Sequence, residues 1–422
     1  MYQAPRGIAD ILPSEMAYWS FVEQRAAGIS ALYGFERINT PTFEETGLFI
    51  HSVGEETDIV TKEMYTFSDR SGKSMTLRPE GTAPVGRAYL EHGMGSLPQP
   101  VKLYYLATIF RYERPQAGRY REFHQFGCET IGDGDPALDA EIIDLAWQFC
   151  RGLGLSRLML KLNSIGCKKC RPQFVAALKD YYRGHAAELC HDCKLRLEKN
   201  TLRLLDCKRD SCQPLTDRAP RNTDYLCPDC AGHFSRLQRY LEILGIPFML
   251  DHRLVRGLDY YTRTVFEIQP EGGGAQSTIA GGGRYDDLIE TLGGKPTPAV
   301  GFASGIERLI LNLKKEAAAV PAVPATQVFL AGLGEPAREK ALGLAARLRR
   351  GGTTVLGPLD RSLKAQMRLA NTLGIRYTVI IGDDEVKAGT VRLREMATGE
   401  QQTVPAGELE NIINKSAGLA SK

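Results

Sequence analysis

A chain of 422 residues has the length of two to three domains and can bury an ample core without disulfides. Hydrophobic residues are 43% and charged residues 24%, and no stretch approaches the roughly 18 uncharged apolar residues of a membrane span, which excludes an integral helical membrane protein. A net charge of +3 is too small to mark the whole chain as a nucleic-acid binder.

The first residues carry Arg6, Asp10 and Glu15 and lack the basic start, apolar run and cleavage site of a secretory signal, so a cytoplasmic protein is expected. From Ser14 to Tyr33, the residues Tyr18, Phe21, Val22, Ala26, Ile29 and Leu32 recur at three- and four-residue spacing. That pattern predicts an amphipathic helix with a Ser cap, ending at Gly34. Short runs with period-two alternation follow as far as Gly132, notably Val101 to Arg111 and Phe123 to Ile131, and read as antiparallel strands. A helix is expected over 137–152, then a cysteine-rich insert closed by Gly245-Ile-Pro247, then strand from Leu254 to Ile268. Two glycine clusters, Gly272 to Gly274 and Gly281 to Gly283, are read as flanking a short strand. A helix over 304–315 runs into an uncharged Pro/Ala linker at 317–325. The tail alternates strands (327–330, 354–356, 377–381) and helices (338–350, 363–373), the pattern of a small α/β domain with a parallel sheet.

Charge is uneven along this order. Residues 166–253 hold 16 Lys/Arg against 11 Asp/Glu, and residues 325–422 hold 14 against 10. A polyanion would find its counterion-release sites there, the alternative being a solvated surface. Eight of the 10 cysteines fall in four close pairs. Cys167 with Cys170, Cys190 with Cys193 and Cys227 with Cys230 have the spacing that lets two thiolates face one tetrahedral ion, and Cys207 with Cys212 is a looser pair. Two readings stand side by side, two structural zinc sites or free thiols; a redox role ranks last, because no thioredoxin-type pair is present. Any zinc would be structural, since no open catalytic ligand set accompanies it.

The segment from Phe110 to Gln125 sets Arg114, Arg119 and Arg121 in a loop beside Arg111, which suits a polyphosphate or a nucleic-acid end. On the following strand Gln125, Gly127 and Glu129 share a face, and Gly127 leaves room for a ligand between the amide and the carboxylate. The alternative is a charged hairpin with a core glycine.

Motifs in a fixed order carry a resemblance over nearly the whole chain. Pro5 to Asp10, Tyr33-Gly-Phe35 and Thr40-Pro41 with Phe43-Glu44 resemble the start and motif 1 of a class II aminoacyl-tRNA synthetase. Leu77-Arg-Pro-Glu-Gly-Thr82 is similar to an amino-acid-binding loop, Phe110 to Gly132 to motif 2, and Val300 to Arg308 to motif 3. Leu254-Val-Arg-Gly-Leu-Asp-Tyr-Tyr261 and Gly282-Gly-Arg-Tyr-Asp286 resemble the two motifs specific to histidyl-tRNA synthetases. The sequence is thereby identified as a member of that family.

The resemblance implies an α+β fold: a class II antiparallel sheet flanked by helices, a helical, cysteine-rich insertion and a C-terminal α/β anticodon-binding domain. It divides the chain into catalytic core (1–165 and 254–316), insertion (166–253), linker (317–325) and anticodon-binding domain (326–422). It implies ATP with magnesium, L-histidine and the tRNA for histidine as ligands, and a homodimer with Pro41 at its interface. Arg111 and Arg256 would hold the α-phosphate, Arg256 as the catalytic residue; Arg308 would hold the γ-phosphate, and Arg119 would join the ATP site. Glu80, Gly81, Thr82 and Gln125 would hold the amino acid's ammonium end, and Glu129, Tyr260, Tyr261 and Tyr285 would line the imidazole pocket. On a strand, Arg256 and Tyr260 share a face and Tyr261 takes the other, so a twist or bulge is required. Zinc is not a general requirement of the family, so the eight cysteines are a departure that rests on spacing alone. The rival readings are a catalytically silent regulatory relative of the ATP phosphoribosyltransferase type and a zinc-dependent nucleic-acid-binding protein without enzymatic activity.

Overall fold

The period-two segments of the first 320 residues pair into an eight-stranded sheet in the computed structural model, which describes residues 2–272, 277–321 and 326–416. Strand β1 (Glu36–Arg37) precedes a small separate sheet of β2 (Phe43–Glu45), β3 (Tyr65–Ser68) and β4 (Ser74–Leu77). The main sheet continues with β5 (Val101–Phe110), β6 (Glu122–Ile131), β7 (Leu158–Ser164), β8 (Phe248–Leu250), β9 (Thr262–Pro270), β10 (Ala280–Arg284) and β11 (Ala299–Gly305). Their order is β1-β5-β6-β11-β10-β9-β7-β8. The interior pairings are antiparallel, as expected, but the edge strands β1 and β8 run parallel to β5 and β7, so the sheet is mixed.

Alternation assigns each face its task. On β6, Phe126 and Cys128 enter the main core, where the Phe126 ring meets Phe149 and Phe302 at 4.7 and 5.5 Å, while Gln125, Gly127 and Glu129 take the opposite face. Helices α1 (Met16–Leu32), α2 (Thr46–Val53), α3 (Thr82–Glu91) and α4 (Pro136–Gly152) precede the insertion, and α1 and α4 cover the core face. Helix α1 starts after Glu15 with no side-chain cap, so Ser14 does not serve as one. Its buried stripe is Trp19, Val22, Ala26 and Ser30, which leaves the expected Leu32 83% exposed.

Three segments depart from the sequence reading. The stretch before Thr262 is not strand: the side chain of Asn163 takes the Leu254 carbonyl at 3.0 Å and Arg171 takes that of Tyr261 at 2.5 Å, leaving no ladder to join. Gly281 to Gly283 do not flank a strand but form β10, paired on both sides; Gly273 and Gly274 lie outside the described residues. The insertion is the third case. Helices α5 (Arg171–Gly184), α6 (His191–Lys199) and α7 (Gln213–Arg218) share a small core around Phe174, Leu178, Tyr182 and Leu215. Helix α8 (Pro228–Ile243), however, sends Phe234, Leu237 and Leu241 into the main core beside α4, and β8 extends the main sheet. Helices α9 (Leu288–Thr291) and α10 (Ile306–Lys315) complete this unit.

The second unit, Pro321–Lys422, is a five-stranded sheet of order β13-β12-β14-β15-β16. Strands β12 (Val328–Gly332), β13 (Val355–Leu356) and β14 (Tyr377–Ile381) are parallel. A hairpin of β15 (Thr390–Glu395) and β16 (Gln401–Pro405), absent from the sequence reading, adds two antiparallel strands. Helices α11 (Glu335–Arg350), α12 (Leu363–Thr372), α13 (Asp383–Ala388) and α14 (Leu409–Ser416) accompany them. Residues 322–325 of the expected linker, and 417–422, lie outside the described residues.

Both tryptophans, Trp19 and Trp147, sit in the core that α8 helps to fill. Leu237→Ala should therefore cost about 2–5 kcal/mol in urea unfolding followed by tryptophan fluorescence, whereas Leu342→Ala, at an exposed position, should change it by less than about 0.5 kcal/mol.

Candidate active site

The sheet face opposite the main core opens on a cleft of about 1030 Å³. Its floor is built around Glu129 of β6, which is 1% exposed and takes hydrogen bonds from three hydroxyls. Thr82 donates at 2.7 Å and Tyr105 at 3.4 Å to Oε1, and Tyr285 donates at 2.5 Å to Oε2. Burial pushes the Glu129 carboxyl up to about 8, against the lowering effect of the Tyr285 and Thr82 hydroxyls. Glu129 itself does not line the cleft; Thr82, Tyr105 and Tyr285 do, and it lies behind them. Gly127 serves a purpose other than the expected one. It pairs with Tyr105 across β5 and β6, and a Cβ there would lie 2.2 Å from the Tyr105 ring, so the space is filled by a tyrosine and not by a ligand.

Glu80 stands just before α3. Its carboxylate accepts the backbone N–H groups of Thr82 and Ala83, both at 2.7 Å, and caps that helix, while the Tyr260 hydroxyl donates to it at 3.4 Å. Burial raises its pKa, and the two N–H donors oppose that rise. The loop carrying Glu80 and Gly81 is pinned by Arg78, which donates to the carbonyls of Thr108 and Thr40 at 2.7 and 2.8 Å. Tyr260 packs against Tyr261 and Tyr285 with ring centroids 4.8 and 5.7 Å apart. The irregular segment before β9 removes the strand-face conflict, so Arg256, Tyr260 and Tyr261 all line the cleft. Gln125 also lines it, and its buried Oε1 has no hydrogen-bond partner among the described residues, which marks it as an acceptor awaiting a donor.

The other end of the cleft is cationic. Arg111, Arg119, Arg256 and Arg308 all line it. Arg111 donates Nε to the Pro79 carbonyl at 2.7 Å and stacks over Phe123, which anchors the guanidinium by one edge. Arg119 pairs with Glu113 at 3.2 Å. Arg308, in the first turn of α10, donates to the carbonyls of Gly118 and Thr278, each at 3.0 Å. Burial, then the neighbouring Arg119, holds Arg308 below its ordinary pKa, though a guanidinium stays charged. Arg256 is held by Glu267 at 2.5 Å, and Glu267 in turn accepts from Gln269 and Thr278.

The cysteines converge as two sets of four, Cys167, Cys170, Cys227 and Cys230, and Cys190, Cys193, Cys207 and Cys212, with all sulfurs of a set within 4.8 Å of one another. Sulfur separations are 3.8 Å for Cys167–Cys170 and 3.9 Å for Cys167–Cys227 and Cys190–Cys207. A tetrahedral ion with thiolates at about 2.3 Å places them about 3.8 Å apart, whereas a disulfide requires about 2.05 Å. The donor sets therefore fit zinc.

Residues 7–309 match the family model described as Histidyl-tRNA synthetase, and residues 327–416 match the model described as Anticodon binding domain. The chain belongs to the histidyl-tRNA synthetase family. It is 59% identical over 416 residues to a histidine–tRNA ligase of Dehalococcoides mccartyi, covering 98% of this chain and 100% of that one. A histidine–tRNA ligase of Pelotomaculum thermopropionicum is 50% identical, with 98% of each chain covered. The crystal structure of the S. aureus histidyl-tRNA synthetase superposes with a TM-score of 0.82 at 37% identity, covering 98% of this chain and 100% of that one. No helix among the described residues is long and apolar enough to cross a membrane.

Sequence reasoning passed over Tyr105, Arg78 and Glu267. Tyr105 was signalled by its place among the alternating residues of 101–110, opposite a strand glycine; Arg78 had no signal beyond its motif, and Glu267 none beyond its place in the expected strand.

The high pKa of Glu129 means that the folded protein binds a proton there which the unfolded chain releases near pH 4.5. Stability drawn from this group is full below that value and is lost as pH rises towards 8. Glu129→Gln should raise the melting temperature of the ligand-free protein by about 2–4 °C at pH 8.5 and leave it nearly unchanged at pH 5, as read by calorimetry.

Proposed function

We infer that this chain is a histidine–tRNA ligase that joins L-histidine to AMP at the expense of ATP and passes the histidyl group to its tRNA for use in translation. The observation that carries this reading at the level of the site is one cleft lined both by the buried Glu80 carboxylate with the Thr82, Tyr105 and Tyr285 hydroxyls and by Arg111, Arg119, Arg256 and Arg308. A ligand with a cationic amino acid end and a polyphosphate end satisfies both. The full-length relatives are ligases, and the ATP-site arginines are all in the cleft; nothing favours the regulatory relative or a non-enzymatic zinc protein.

In this assignment Glu80, Thr82 and Gln125 bind the ammonium group, the vacant Gln125 acceptor receiving one N–H. The imidazole lies against the hydroxyls of Tyr261 and Tyr285, with the Glu129 carboxyl behind them. A pocket that pairs both ring nitrogens rejects apolar look-alikes, whose binding would leave its polar groups unpaired. Arg111 and Arg256 grip the α-phosphate from two sides and Arg308 and Arg119 the outer phosphates, while magnesium travels with the nucleotide. The histidine carboxylate attacks the α-phosphorus, the bond to the β-phosphate oxygen breaks and pyrophosphate leaves. Arg256 acts by neutralising charge that builds on the α-phosphoryl oxygens. The 3′-hydroxyl of the terminal ribose then attacks the histidyl carbonyl and AMP departs, with a phosphate oxygen of the adenylate as the candidate base.

The net-basic insertion and tail are assigned to the tRNA. A homodimer through motif 1 is supported by exposed Pro41 and by Phe43 and Phe67, whose rings meet edge to face at 5.8 Å while remaining 49% and 43% exposed. Both cysteine sets are assigned as structural zinc sites. Atomic emission should find two zinc ions per chain in the parent, and the double substitution of Cys190 and Cys193 by Ser should remove one; an unchanged content would refute the assignment.

The deciding experiment is exchange of labelled pyrophosphate into ATP, expected with histidine and with no other amino acid. Arg256→His should lower that rate by roughly 10²–10³-fold with histidine affinity largely kept; near-parental turnover would contradict the role. Affinity should also depend on pH. Around neutrality the empty pocket carries one proton on Glu129 and neutral histidine brings none on its ring, whose pKa is about 6.5, so the bound pair shares that proton without exchange. Binding should be flat from about 6.5 to about 8, weakening below as a proton is released and above as one must be taken up.

A further inference from the structure

The two cysteine sets occupy different places, and one of them adjoins the histidine pocket. Cys190, Cys193, Cys207 and Cys212 lie within the insertion, among α6 and α7. Cys167 and Cys170 stand where the chain leaves β7, and Cys227 and Cys230 where it returns at α8. The latter set joins residues 60 positions apart and closes the insertion at its neck.

The neck is also where the backbone of the pocket is fastened. Gly166 has φ +67°, and a Cβ there would lie 2.8 Å from Sγ of Cys170, so the sulfur rests directly on the main chain. The Gly166 carbonyl accepts the Arg263 N–H at 2.8 Å, and the Ile165 N–H donates to the Arg263 carbonyl at 2.7 Å. Arg171 follows Cys170 and spreads its guanidinium over three carbonyls: Nε to Ile165 at 3.2 Å, Nη2 to Gly166 at 3.2 Å and to Tyr261 at 2.5 Å. Lys168, between the paired cysteines, reaches Asp287 at 3.3 Å and Glu290 at 3.1 Å, just beyond Tyr285. That exposed pair is weak. The Arg171 fan is not, because it gives the Ile165 and Tyr261 carbonyls a charged donor.

We propose that the neck set, Cys167, Cys170, Cys227 and Cys230, is a zinc centre that positions the histidine pocket, with Arg171 as the positioning residue between the metal and Tyr261. The proposal rests on the zinc assignment above. Four thiolates on one ion fix the backbone of 166–171 and hence the point from which Arg171 reaches the Tyr261 carbonyl. Without the ion the insertion's two ends are free to part, Tyr261 loses its donor, and the 4.8 Å packing of Tyr261 on Tyr260 is no longer imposed before histidine arrives. The ordering then falls on the ligand, which lowers its affinity.

The test uses full-length parent, Arg171→Met and Cys227→Ser, with zinc read by atomic emission, histidine affinity by titration calorimetry, and KM for histidine and for ATP by pyrophosphate exchange. Arg171→Met should keep two zinc ions yet bind histidine at least tenfold more weakly, with KM for ATP within twofold of the parent. Cys227→Ser should lose one zinc and show the same selective loss. Parental histidine affinity in Arg171→Met at full zinc overturns the positioning role, as does Cys227→Ser that loses its zinc without losing affinity. Should Cys227→Ser fail to fold, zinc-loaded Arg171→Met still decides. A parent that holds no zinc overturns the metal assignment itself, and that failure is visible before any variant is compared.

Discussion

A carboxyl group buried in the middle of a sheet must find hydrogen-bond partners, and the way Glu129 finds them organises the catalytic unit. Its three hydroxyl donors come from the start of α3, from β5 and from the residue after β10. One side chain thereby gathers partners up to 156 positions away from it in the chain. The tie works only in the observed register, with Tyr105 opposite Gly127 and Glu129 opposite Gly301. A one-residue slip of β6 would turn Glu129 towards Phe149 and bring Phe126 into the cleft. In the proposed function, specificity for a ligand and specificity of the fold depend on the same hydrogen bonds.

The cleft is divided electrically along its length. Burial raises the pKa of both Glu80 and Glu129 at one end, Glu80 adding to the rise at Glu129, and neither is in ion-pair contact with an arginine among the described residues. The arginines at the other end are partly compensated, Arg256 by Glu267 and Arg119 by Glu113. Those carboxylates hold the guanidinium planes in place without cancelling the excess of positive charge. In the proposed reaction such preorganisation would spare the cost of turning dipoles while charge moves from the carboxylate to the departing pyrophosphate.

Much of this was legible in the residues. The helices at 16–32 and 136–152 followed from periodicity because each lays a stripe on the main core, and the long strands β5 and β6 because alternate residues enter different cores. The segment from Leu254 to Tyr261 misled for a definite reason: its apolar alternation is that of a strand, but Asn163 and Arg171, distant in sequence, take the carbonyls a neighbouring strand would need. Cysteine spacing identified pairs but not partners. That the first pair joins the last and the middle pairs join each other depends on α8 returning to the main core, which no local pattern announced. The tail hairpin was missed because Thr390–Glu395 alternates apolar with charged residues too briefly to stand out.

The strand order has a consequence for how the molecule is made. Strand β6 lies between β5 and β11, and β11 is completed only at Gly305. Synthesis from the N-terminus thus delivers β5 and β6 as a hairpin whose inner edge stays unpaired while the insertion, β9 and β10 emerge. A contact of such long range is slow to form, and a nascent chain stalled before residue 299 presents that edge to its neighbours on the polysome. The insertion, with its own small core and its thiols in clusters, is able to fold in that interval, so the last strand to arrive meets two finished halves and closes the sheet between them.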